Sequence, residues 1–176
     1  AAVEVEIHRL LRAAAAAPAI EGKPIALIVP HAGWKYSGAA AATAWRTLHR
    51  GDFGRVVVVA PTHHGEFEGF AIDDVQIYRT PLGDIPLAAD AIAALRGDKV
   101  IRKVEGATEP EDAVEIELPF LQETLGSFTL VPILAGRTTP AMERQLAGKL
   151  AALNDGATLF VFAAFLPADL NFRARA

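Results

Sequence analysis

Four short apolar runs constrain this chain more than any other feature: Ile25 to Val29, Arg55 to Ala60, Phe128 to Leu134 and Thr158 to Ala163. Each is continuous rather than alternating. A strand with one wet face alternates apolar and polar residues, whereas a strand covered on both faces does not. Val56 to Val59 is four valines in succession, and such β-branched side chains favour a pleated strand over a helix. Helical segments separate the runs. Val3 to Ala17 is amphipathic and closes at Pro18. Ser37 is placed to cap a helix to about His49, which Gly51 stops. Pro86 opens a helix ending at Gly97, Glu111 to Thr124 is helical with a break at Pro119, and Pro140 starts a helix to Leu153. Phe70 to Tyr78 carries the alternation and Asp-Asp turn of a hairpin, and Lys99 to Val104 reads as a strand. The expected fold is α/β, a three-layer sandwich with a central, largely parallel (mixed) sheet flanked by helices. The hairpin is expected to supply the antiparallel pairing.

A chain of 176 residues suits one domain, taken as residues 1–176. It contains no cysteine, which excludes disulfides, thiolate-ligated metals and thiol nucleophiles and fits a cytoplasmic setting. No apolar run approaches the roughly 20 residues of a membrane helix, and no signal peptide is visible. Seventeen basic residues against twenty-one acidic ones, with Arg50, Arg55, Arg173 and Arg175 scattered, argue against a nucleic-acid partner.

The chemistry gathers at strand ends. The first run closes in Pro30-His31 and the second in Pro61-Thr62-His63-His64. Open parallel sheets bind ligands beyond the carboxyl ends of their strands. If these two strands are neighbours, His31 and His63 reach one point, and two neutral imidazoles with a carboxylate or water suit Fe(II), Zn(II) or Cu(II). Asp112 and Glu115 are candidates for a third ligand, an outer partner or a general base. Glu111, beside them, also reads as a charge favouring a helix start, as do both of the others. His64 is either a second pocket group or an exposed flank. Trp34 and Tyr36, in the glycine-rich turn, either wall the pocket or pack on the helix. His8 and His49 lie on helices, and the helix dipole accounts for His49. The turn lacks the spacing of a phosphate loop, and no Ser–His–Asp order is present.

Several stretches together resemble the Memo family, also known as component B of the AmmeMemoRadiSam system. Val29-Pro-His-Ala-Gly-Trp-Lys-Tyr-Ser-Gly38 is similar to the signature opening its core. Ala60-Pro-Thr-His-His-Gly65, Val75 to Asp84, Glu111 to Gln122 and Phe128 to Leu134 match further pieces in the same order. The resemblance implies a fold similar to class III extradiol dioxygenases, with His31 and His63 in metal-ligand positions. It implies iron or copper, with zinc less favoured, and redox chemistry on an unsettled substrate. The chain departs from the pattern at Asp112, where the family has His, and at Ala113, where it has Ser. Where the family has Ser-Ser-Asp-x-x-His-Tyr this chain reads Ala163 to Asp169, either by substitution or because the segment is missing and Phe165-Leu-Pro resumes beyond it. Family segments at both ends are expected to lie outside this sequence.

Three readings follow: a non-heme metal oxidoreductase acting on a small molecule; a ligand- or partner-binding module without catalysis; and a metal-dependent hydrolase. Substrate, protein partner and oligomeric state are not readable from the sequence.

Overall fold

The structure is a computed structural model, and it describes residues 2–14, 21–97, 99–109 and 111–165. Among the described residues, eight strands and five helices follow in the order α1 (Ala2–Ala13), β1 (Ala26–Pro30), α2 (Trp34–Trp45), β2 (Arg55–Pro61), β3 (Phe70–Ala71), β4 (Ile77–Thr80), β5 (Gly83–Pro86), α3 (Ala89–Leu95), β6 (Ile101–Arg102), α4 (Leu118–Leu125), β7 (Thr129–Ala135), α5 (Pro140–Ala152) and β8 (Thr158–Ala164). Six strands form one sheet in the order β1-β8-β2-β7-β3-β6. All its pairings are parallel except β3 with β7. The expected α/β architecture with a mixed sheet is what the chain adopts.

The runs at β2, β7 and β8 are explained by two cores, one on each face, whereas β1 is an edge strand whose Ile28 is 66% exposed, so the expectation of a strand covered on both faces fails there. Val56, Val58 and Ala60 of β2 enter one core, with Leu130 and Leu134 of β7 and Leu159 and Val161 of β8. Ile7 and Leu10 of α1, Trp45 of α2 and Phe120 of α4 cover that face. Val57 and Val59 point the other way, with Val131, Ile133 and Phe160, under Ile92 and Leu95 of α3 and Leu146 and Leu150 of α5. Successive side chains of a strand face opposite sides, so a strand between two helical layers is apolar at every position. Burying each such side chain contributes roughly 1.5–3 kcal/mol, far above the 0–1 kcal/mol of an exposed ion pair.

Several expectations need correction. The hairpin is β4–β5, turning at Pro81-Leu82, and it forms a separate two-stranded sheet. Phe70-Ala71 instead joins the main sheet and supplies its antiparallel pairing. Gly69 leads into β3 at φ +83°, and an added Cβ there would meet the Val100 carbonyl, so a side chain is excluded. Helix α2 starts at Trp34 rather than after Ser37, with Gly33 as its N-cap, and Ser37 Oγ donates to the Ala32 carbonyl at 2.6 Å. Pro119 occupies the first turn of α4, where its missing N–H costs nothing, so the stretch 113–117 is turn rather than helix. Pro86 lies on β5, and α3 begins three residues later. The expected end of α1 at Ala17-Pro18, and Leu166 to Asp169, Arg173 and Arg175, lie outside the described residues.

Most consequentially, β1 and β2 are not neighbours. Strand β8 lies between them, pairing Val29 with Ala163 on one side and Val59 with Phe162 on the other. The strand ends that carry the two histidines are therefore about 9.5 Å apart, two strand spacings rather than one.

Just before α4, Glu117 is 1% exposed within this core. Burial pushes its carboxyl up to about 8, and the Trp45 indole relieves this only partly. The folded protein thus holds a proton on Glu117 that the unfolded chain releases in the ordinary carboxylate range. Stability falls as pH rises from that range to about 8, then levels off. Glu117→Gln should flatten this dependence. Thermal melts at pH 8.5 should show the variant at least about 2 °C above the parent, with no gain at pH 4. An equal pH response in both proteins would contradict a buried, protonated Glu117.

Candidate metal centre

His31 follows β1 directly and is 8% exposed. His63 stands two residues beyond β2, with its side chain 46% exposed. Both project past the carboxyl end of β8, where Ala163 and Ala164 present little side-chain bulk. The two Nε2 atoms lie 3.2 Å apart, with the ring planes tilted by 43°. The imidazoles converge as expected, although by reaching over an intervening strand.

One residue fixes this arrangement. Glu111 is 3% exposed, and its Oε2 accepts from the His63 backbone N–H at 2.5 Å. Its Oε1 lies 2.7 Å from His63 Nδ1 and accepts from the Ala113 N–H at 3.3 Å. Burial pushes the Glu111 carboxyl up, but the hydrogen bonds from His63 and Ala113 outweigh it and hold the group below its ordinary value. Glu111 is thus an ionised acceptor, so His63 Nδ1 carries the proton and donates. In the neutral ring this leaves the lone pair on Nε2, aimed at His31.

His31 is held below its ordinary value, chiefly by burial and also by His63, while the Ala164 backbone, Glu111 and Asp112 act the other way. The ring is therefore neutral at pH 7. Its buried Nδ1 makes no hydrogen bond of good geometry among the described residues, and the Ala164 backbone is the group set to receive a proton there.

Asp112 is exposed and joins the cluster: it, Glu111 and His63 each place a ligand-capable atom within 4.8 Å of the others. Glu111 has committed both oxygens to hydrogen bonds, so it acts as a positioning group, and His31 is not one of the three residues of this close group. Two nitrogens bound to one ion at about 2.0–2.1 Å each are no more than about 4.2 Å apart. The 3.2 Å separation of the Nε2 atoms fits that limit. The carboxylate behind His63 is the outer partner that a metal-bound imidazole needs.

The other sequence candidates lie elsewhere. Glu115 is exposed and accepts from the Tyr78 hydroxyl at 3.3 Å, in a separate cleft. Trp34 packs edge-on against Phe120 and donates its indole N–H to the Ile116 carbonyl at 2.9 Å, so it braces the 111–117 turn. Tyr36 is 82% exposed. His64 is exposed, with its ring 6.5 Å from that of His63. Outside the pocket, His8 pairs with Glu123 at 2.6 Å. Glu111 was legible in sequence only as one of three acids. Its nearest signal is the apolar Ala113-Val114 that follows, which pulls the turn inward, and both residues are buried.

A mostly parallel α/β sheet, with paired imidazoles and a supporting carboxylate beyond the carboxyl ends of its strands, defines a class of candidate metal-binding α/β protein. The chain belongs to the Memo family, for the model of the Memo-like protein family matches residues 2–167. It is similar to the memo-1 homolog of Caenorhabditis elegans, at 36% identity over 80% of this chain and 41% of the relative. It is also similar to MEMO1 of Danio rerio, at 32% over 82% of this chain and 51% of the relative. MEMO1 of Homo sapiens matches at 32% over 77% and 48%. The chain thus spans about half the length of the curated relatives it matches.

Removing the charge of Glu111 leaves buried N–H groups poorly paired. Glu111→Gln should cost about 1–3 kcal/mol in urea unfolding at pH 7. Because the folded carboxyl is held low, its contribution is present above the ordinary carboxylate range and lost as pH falls below it. The gap between parent and variant should therefore narrow as pH falls below the ordinary carboxylate range. A gap that persists there would point to packing rather than charge.

Proposed function

We propose that this chain is the metal-holding part of a non-heme metal-dependent oxidoreductase, with His31 and His63 as ligands and Asp112 as the third. The single observation that carries this reading is the 3.2 Å approach of two Nε2 atoms, one of them with its tautomer set by Glu111. Two imidazoles and a carboxylate are the donor set of non-heme iron sites and also serve copper or zinc. Iron or copper is favoured over zinc by the resemblance of the His31 and His63 turns to the redox-linked family. When bound, such an ion supplies redox chemistry and open coordination positions for a small-molecule substrate.

The chain's own residues have distinct tasks. Glu111 holds the His63 proton on Nδ1 and keeps the Nε2 lone pair available. Burial keeps His31 neutral, so no proton must leave before it ligates.

Protein purified from cells and analysed by elemental mass spectrometry should carry iron or copper near one equivalent per chain. His31→Ala and His63→Ala should each remove it, and Glu111→Gln should weaken metal affinity about 10–100-fold by freeing the His63 ring. Affinity should fall as the pH is lowered, because protons compete with the metal for the ligand atoms. A folded protein that takes up no transition metal at pH 7.5 would overturn the reading and favour a binding module that uses the same cleft without redox chemistry.

A further inference from the structure

A second concavity, of about 910 Å³, lies between β4, the segment leading into it and the 103–109 loop. Its lining includes neither His31 nor His63. The volume falls within the roughly 300–1,000 Å³ of small-molecule sites. Its apolar surface comes from Val75, Ile77, Val104 and Pro132. Val75 and Ile77 are 46% and 50% exposed, which is high for such side chains side by side.

The charge balance of this cleft is one-sided. Its two cations are already engaged: Lys103 lies 2.5 Å from Asp74 and 3.8 Å from Asp73, and Arg79 lies 3.2 Å from Asp84. Asp74 and Asp84 are outside the lining, so the acids within it are left largely uncompensated. Glu105, Glu109 and Glu115 form no ion pair with a cation among the described residues. The polar partner of Glu115 is the neutral Tyr78 hydroxyl. The Tyr78 hydroxyl reports the same field, for burial first and the Glu115 charge second raise it well above its ordinary value. An aromatic ring beside apolar side chains and three unneutralised carboxylates complements an organic cation, through both charge and the ring face.

We propose that this cleft binds a small molecule carrying a primary ammonium or guanidinium on an apolar body. The cation would sit among Glu105, Glu109 and Glu115, and the body would lie on Val75, Ile77 and the Tyr78 ring. This site is separate from the histidine centre and does not depend on a metal.

The probe is 4-phenylbutylamine, set against 4-phenylbutanol and 4-phenylbutyrate, in calorimetric and NMR titrations at pH 7.5 and low salt. The amine should bind and perturb resonances of residues 73–79 and 103–109. The alcohol should bind at least about threefold more weakly, and the carboxylate should not bind. The exposed double change Glu105→Gln with Glu115→Gln should weaken the amine at least about threefold, as expected for losing two exposed ion pairs. Raising salt to 0.5 M should weaken it further. His31→Ala should leave amine binding unchanged, which separates this outcome from the fate of the metal reading. Equal binding of amine and alcohol, no effect of the double change, or no binding of the amine at millimolar concentration would each overturn the proposal.

Discussion

The buried carboxylate of Glu111 is the interaction on which the rest of the site depends. It reaches from the turn before α4 to the end of β2 and binds His63 twice, at the backbone and at the ring. The backbone bond sets where the turn lies, and the ring bond sets which nitrogen is available. A neutral partner could satisfy one of these N–H groups but would not polarise the imidazole in the same way. Its burial makes the pair expensive to break, since the Glu111 carboxylate left alone would be an unpaired charge out of water.

The sheet then determines what His63 meets. With β8 inserted between β1 and β2, the two histidine-bearing ends stand two strand spacings apart. The two rings reach toward each other across the end of β8, and their Nε2 atoms lie 3.2 Å apart. The buried strand β8 thus acts as a spacer. Trp34 braces the turn from outside the site, for its indole hydrogen bond to Ile116 ties the start of α2 to the turn that carries Glu111.

What the sequence disclosed follows from how local each signal is. The runs at β2, β7 and β8 were legible because a strand covered on both faces must be apolar at every step, and each valine reports this by itself. The proline-histidine strand ends were legible for the same reason. Strand order was not, because nothing within β1 or β2 encodes that β8, formed a hundred residues later, will separate them. The residues before Pro119 read as helix because proline fits both a break within a helix and its first turn, and only the packing of Phe120 and Leu121 decides. Glu111 was hidden because its partner lies 48 residues away and a glutamate before a helix is ordinarily a surface charge.

The central claim is that the Nε2 atoms of His31 and His63 point at one metal position. X-ray absorption spectroscopy of the metal-loaded protein tests it most directly. Two imidazole nitrogens at about 2.0–2.1 Å, falling to one in either His31→Ala or His63→Ala, is the predicted result. A shell made only of oxygen donors, or one that neither substitution alters, would contradict it.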